Sequence, residues 1–163
     1  MADGTMKTVA QRGAGLAAGL ESVFEFFCTQ GQRRIVAFNS DSPHLPLPVL
    51  RQAFETLRSC DLVVGPTDDG GYYLVGAKAP HPGLFADSAM GTSSALERLL
   101  ARAHELQLSV LSTDEFYDID VLVDLSRLAE DLRLAPERAP RTAAWLAEWA
   151  RTRPRPVSSG PNS

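Results

Sequence analysis

The sequence predicts an α/β layered fold, and three observations carry that prediction. Short, uninterrupted apolar runs such as Ile35-Val36-Ala37-Phe38 and Leu62-Val63-Val64 read as buried strands. Stretches with apolar residues at helical spacing alternate with them. The connections between the two kinds of segment are short, as they are when helices pack on a sheet.

Leu16 to Gln30 carries Leu16, Leu20, Val23, Phe24 and Phe27 on one helical face, and Gly31 follows as a C-cap. Ile35–Phe38 is the first strand, expected in a parallel pairing, and it ends in Asn39-Ser40-Asp41-Ser42-Pro43. Leu47 to Arg58 is a helix with Pro48 tolerated in its first turn. Leu62–Val64 is the second strand, stopped by Gly65-Pro66, and Asp68-Asp69-Gly70-Gly71 turns into a third strand, Tyr72–Val75. Thr92 to Leu106 is a helix with Thr92 or Ser93 as N-cap. Leu108–Leu111 is a fourth strand, followed by helices at Val121–Leu132 and Pro136–Ala150. Trp145 and Trp149, one turn apart, read as core or interface packing.

The 163 residues suit one domain, expected over 11–150, with 1–10 and 151–163 as flexible termini. A net charge of −4 leaves no basic footprint for nucleic acid, so no nucleic-acid partner is expected. No apolar run approaches the length of a membrane span, and Met1 to Arg12 lacks the apolar segment of a signal peptide. A cytoplasmic location follows as the expectation. Cys28 and Cys60 are too few for a disulfide framework and read as buried, unreactive thiols. His44, His81 and His104 lack paired spacing for zinc.

Chemistry is expected where strands end. Asp41 stands just after the first strand, where an open α/β sheet places its ligand, although it could equally cap the next turn. Asp118 and Asp120 in Tyr117-Asp118-Ile119-Asp120 lie on one side of an extended segment. Carboxylates from separate loops suit Mg²⁺ or Mn²⁺, while one of the later pair could instead cap the following helix. Adjacent Gly70 and Gly71 permit a tight turn and close approach of a ligand, and Asp-Gly also suits a plain hairpin. Gly13, Gly15 and Gly19 lack the spacing and the preceding strand of a dinucleotide loop.

In order along the chain, residues 39–46 (Asn-Ser-Asp-Ser-Pro-His-Leu-Pro), 64–76 (with Asp68-Asp69-Gly70-Gly71-Tyr72-Tyr73) and 118–125 resemble a bacterial GT-A-fold family. That family is glycosyltransferase A-like, of the radical-SAM/selenodomain-associated type, within the nucleotide-diphospho-sugar transferase superfamily. The resemblance covers roughly Gln11 to Leu132. It implies a Rossmann-like three-layer mixed sheet flanked by helices, binding a nucleotide or nucleotide-sugar with Mg²⁺ or Mn²⁺. By position it implies Asp41 and Asp120 as catalytic metal ligands, with Asp118 as an alternative ligand. Asn39, Asp69, Gly70, Gly71, Tyr72 and Thr92 would bind substrate. The family's first strand and Gly-rich basic loop find no counterpart, so an N-terminally truncated domain is expected, and with it a bare sheet edge and a possible homodimer. Near Met90 the family's aromatic-Ser-Thr pattern keeps only Thr92. The implied activity is glycosyl transfer. The alternatives are nucleotidyl transfer, or a non-catalytic relative acting through oligomerisation or a partner.

Overall fold

The computed structural model describes residues 8–152. Its elements, in order, are α1 (Gly15–Thr29), β1 (Ile35–Phe38), α2 (Leu47–Thr56), β2 (Leu62–Pro66), β3 (Tyr72–Ala77), α3 (Ala95–Glu105), β4 (Val110–Ser112), α4 (Leu122–Leu134), a 3-10 turn (Pro136–Arg138) and α5 (Pro140–Thr152). The expected elements are all present, with ends displaced by a few residues. Of the two expected flexible termini, α5 extends through Arg151 and Thr152, and 1–7 and 153–163 lie outside the described residues.

Contacts divide the chain into two compact units, one ending at Asp118 and one beginning at Ile119, where the sequence suggested a single domain over 11–150. The first unit is a mixed sheet of order β1-β3-β2-β4. β3 runs antiparallel to both β1 and β2, and β2 runs parallel to β4. The expectation of parallel pairing for the first apolar run is therefore corrected. β2 and β3 are joined only by residues 67–71, too short for a crossover, so they form an antiparallel hairpin. β3 then sits between β2 and β1, which places β1 at the sheet edge with only Ile35 buried.

The sheet is the middle of three layers. Ile35, Leu62, Val64, Val75 and Ala77 pack with Phe24 of α1 and with Leu99 and Ala103 of α3. Val63 and Leu74 pack on the other face with Ala53 of α2 and with Leu57. Full burial of each such aliphatic side chain is worth about 1.5–3 kcal/mol, so this two-sided packing is the main stabilising term. Burial pushes the Cys60 thiol up, and it does the same for Cys28, which is half-buried where full burial was expected.

The hairpin carries a bulge. Gly65 pairs with Leu74 and Pro66 with Tyr72, which leaves Tyr73 without a partner on β2. Tyr73 consequently turns toward the α2 side, and its ring lies where a Cβ on Gly65 would stand, 2.5 Å away. Its hydroxyl donates to the Asp114 carbonyl (3.0 Å) and shares a 2.7 Å bond with Thr113 Oγ1. Tyr72 turns to the opposite face and packs against the α1–α3 core.

The second unit is a helical hairpin with its own core of Leu128, Leu132, Ala139 and Leu146. Trp145 and Trp149 stack with ring centroids 5.9 Å apart; Trp149 packs against that core and Trp145 is exposed. Among the described residues no helix is long and apolar enough to cross a membrane.

Candidate functional site

Because β3 alone runs against the others, the carboxyl ends of β1, β2 and β4 open on one edge of the sheet. The loops carrying Asn39 and Asp41, Asp69, and Asp118 follow those three ends. This is where an open α/β sheet presents a ligand crevice.

The loop after β4 is held against the loop after β2. Phe116 donates its N–H to the Pro66 carbonyl (3.0 Å), and Asp68 donates to the Phe116 carbonyl (3.2 Å). Thr67 and Phe116 form a parallel bridge. The β1 loop joins them: the buried Ser42 hydroxyl donates to the Tyr117 carbonyl (3.1 Å), and His44, fully buried, lies 4.3 Å from the Tyr117 ring and 4.7 Å from Phe116. Sequence spacing gave no signal for His44 in this role.

These pairings bring Asp69 and Asp118 together, with carboxylate oxygens within 4.8 Å of one another. Asp69 is fixed before any ligand arrives. The Thr67 hydroxyl donates to its Oδ1 (2.5 Å), and so does the Gly71 N–H (3.0 Å). Those bonds, the Thr67 hydroxyl foremost, hold the Asp69 carboxyl below its ordinary range, so it is ionised at neutral pH. Two carboxylate oxygens binding one Mg²⁺ at about 2.1 Å lie no more than about 4.2 Å apart, so this pair fits a hard divalent cation with little adjustment.

Asp118, which the resemblance gave as a metal ligand, is one of that pair. Asp69 was read as substrate-binding, yet it is the carboxylate that faces Asp118. Asp41 is exposed, accepts from Ser40 Oγ (3.3 Å), and is outside that carboxylate group. Asp120 is exposed in the second unit and donates its N–H to Asp124 Oδ2 (3.1 Å). Asp124 closes the start of α4, since it also accepts the Val121 N–H (2.9 Å).

The two glycines are used by the protein itself. Gly70 has φ +90°, and a Cβ there would stand 2.1 Å from the Ser93 carbonyl oxygen. Gly71 lacks a positive φ and is bounded by Thr67 Oγ1 (2.8 Å) and Asp69 Oδ1 (3.2 Å). On the side where a Cβ would stand, the close approach to these glycines is made by the start of α3 and by the turn's own side chains. Leu96 donates its N–H to the Gly70 carbonyl (3.1 Å), which completes the clasp. Thr92 is exposed and its hydroxyl donates to the Ala89 carbonyl (2.7 Å). The N-cap of α3 is Ser94, without a side-chain cap bond, and not Thr92 or Ser93.

Two further polar atoms stand at the same edge of the sheet. Asn39 Oδ1 and the Tyr72 hydroxyl are buried and find no hydrogen-bond partner among the described residues. Burial pushes the Tyr72 phenol up to about 12, so it is a neutral donor at all physiological pH.

Residues 2–92 match the family described as "Uncharacterized protein conserved in bacteria (DUF2064)". That is more than half of the sequence, and the chain belongs to this family. Among solved structures, the chain is similar to a crystal structure from Desulfovibrio desulfuricans G20, described as a proposed nucleotide-diphospho-sugar transferase. The match has 27% identity and a TM-score of 0.81, and covers 87% of this chain and 62% of that one. The three-layer mixed fold of this chain is shared with that structure. A search of curated proteins finds no match.

Proposed function

We propose that this chain, as a member of that bacterial family, forms the carboxylate-bearing part of a metal-dependent transferase that uses a nucleotide-diphospho-sugar donor. The observation that carries the reading is the pairing of Asp69, held ionised, with Asp118 at the carboxyl edge of the sheet. The likeness to a proposed transferase of this class supports it.

In this reading Asp69 and Asp118 hold Mg²⁺ or Mn²⁺. A bound cation would offset the negative charge that develops on the leaving diphosphate. In glycosyl transfer an acceptor oxygen bonds to the sugar's anomeric carbon and the bond from that carbon to the diphosphate oxygen breaks. Thr67 and Gly71 keep Asp69 oriented, so no reorganisation is needed when the donor binds. The unpartnered Asn39 Oδ1 and Tyr72 hydroxyl supply one acceptor and one donor for hydroxyls of the donor or acceptor substrate. Asp41, Asp120 and Thr92 are secondary candidates in the same reading. The radical-SAM/selenodomain-associated type and a cytoplasmic place of action belong to the same proposal.

The test is turnover. The purified chain is incubated with Mn²⁺ and a panel of nucleotide sugars, and products are separated by anion exchange. Release of nucleoside diphosphate indicates glycosyl transfer or donor hydrolysis, and release of pyrophosphate from a nucleoside triphosphate and a sugar phosphate indicates nucleotidyl transfer. Asp69→Asn and Asp118→Asn should each lose activity while keeping the wild-type circular dichroism spectrum. Equal activity in both variants would overturn the assignment.

A further inference from the structure

The two carboxylates of the pair reach it by different routes. Asp69 is fixed inside its own turn by Thr67 and Gly71. Asp118 lies at the end of the loop that follows β4, and the Thr67–Phe116 bridge anchors that loop two residues before it. Tyr117 stands between anchor and carboxylate. Whatever fixes Tyr117 therefore fixes where Asp118 stands.

Tyr117 is held from the β1 side. It is buried, the Ser42 hydroxyl donates to its carbonyl (3.1 Å), and its ring centroid lies 4.3 Å from that of His44, with the planes tilted by 50°. His44 also lies 4.7 Å from Phe116, and Phe116 stacks on Tyr117 at 5.6 Å. The imidazole is thus packed against both rings, with none of its surface exposed. Its own segment is stiff. Pro43 precedes it with a fixed φ. Leu45 donates its N–H to the Ser42 carbonyl (3.0 Å) and packs with Ala53 and Leu57, and Pro46 leads directly into α2. An imidazole carried on this segment is a fixed stop for the Tyr117 ring.

We propose that His44 is a positioning residue for metal binding: by packing on Phe116 and Tyr117 it sets the Asp118 carboxylate against Asp69. The inference rests on the metal-dependent reading given above. The tolerance is small. Two oxygens on one Mg²⁺ at about 2.1 Å lie no more than about 4.2 Å apart, and the oxygens of this group lie within 4.8 Å of one another. A working site is held to about 0.5 Å by the groups around its ligands. Truncating a fully buried side chain leaves a void that its neighbours fill only in part. Here those neighbours are Phe116 and Tyr117, so the shift passes to Asp118 along the chain. Groups that orient a ligand without touching the metal typically contribute about 10–100-fold in affinity.

Mn²⁺ affinity of the full chain tests it, read from the electron paramagnetic resonance of the free ion. His44→Ala should bind Mn²⁺ about 10–100-fold more weakly than the wild type. Phe24→Leu is the control for general loosening, since Phe24 is buried on the opposite face of the sheet. It should lose stability and keep the wild-type affinity. A His44→Ala protein that binds as tightly as the wild type overturns the proposal. So does an equal loss of affinity in Phe24→Leu, because the effect would then come from the fold as a whole. A wild type that binds no Mn²⁺, or binds it equally well after Asp69→Asn, removes the metal reading itself and the inference with it. If His44→Ala fails to fold, His44→Leu takes its place; it fills the void without a flat ring against Tyr117. It should also bind more weakly than the wild type, and equal binding would overturn the proposal.

Discussion

Gly70→Ala should be among the most damaging single-methyl additions in the first unit. The perturbation has two parts. Gly70 sits at φ +90°, a conformation that costs an L-residue about 1–2 kcal/mol. The added Cβ would also stand 2.1 Å from the Ser93 carbonyl oxygen, far inside contact distance. That oxygen is not free to retreat. Gly70 is bonded on one side to Thr67 (3.2 Å) and on the other to Leu96 (3.1 Å), so the turn and the start of α3 move together or not at all. Overpacking of this kind costs about 1–3 kcal/mol, for a sum of roughly 2–5 kcal/mol. For a domain of this size that lowers the melting temperature by roughly 5–15 °C. Gly91→Ala is the internal control. Gly91 has φ +80° but nothing within 4 Å of the added Cβ, so it keeps the conformational cost and loses the clash. Its expected shift is about 2–5 °C. Thermal melting followed by circular dichroism reads both. Equal shifts for the two variants would refute the argument that α3 closes on Gly70.

Two other perturbations act on the scaffold of the site. Tyr73→Phe removes a hydroxyl from a residue 1% exposed and leaves Thr113 Oγ1 and the Asp114 carbonyl with only their own long 3.4 Å bond; chemical denaturation should show a loss of about 1–3 kcal/mol, and an unchanged midpoint would refute the bulge's role. Asp61 accepts the Ser109 hydroxyl (2.5 Å) and the Ser109 N–H (3.0 Å), which hold its carboxyl below the ordinary 3.8. A depressed folded value means that the stabilisation is present above the unfolded value and is lost as pH falls through the folded one. Ser109→Ala should therefore melt below the wild type near neutral pH, with the gap closing below about pH 4; a gap that persists in acid would point to packing as the cause.

The fold was largely legible because its signals are local. Apolar runs and helical spacing mark each element, and Gly31, with φ +83°, ends the first helical stretch as its position suggested. Pairing direction was less legible. Ile35–Phe38 reads as a doubly buried strand, but β3 inserts beside it and leaves it at the edge, a consequence of topology that a four-residue run does not encode. The site was legible as a set of loops more than as a set of roles. Asp69 looked like part of a turn because its partner Asp118 is distant in sequence and arrives through the Thr67–Phe116 bridge. Asp-Gly-Gly read as room for a ligand because periodicity does not reveal that Ser93 occupies the space beside Gly70. Alternation along a strand sends Tyr72 and Tyr73 to opposite faces, and the bulge decides which face each ring takes.

The most direct test of the central claim is melting of the purified chain with Mg²⁺ or Mn²⁺, nucleotide sugars, or both. A ligand at a hundredfold excess over its dissociation constant stabilises the native state by about 2.7 kcal/mol. The account predicts a shift that requires cation and nucleotide sugar together and disappears in Asp69→Asn. No shift with any nucleotide sugar, or the same shift in Asp69→Asn, would contradict it.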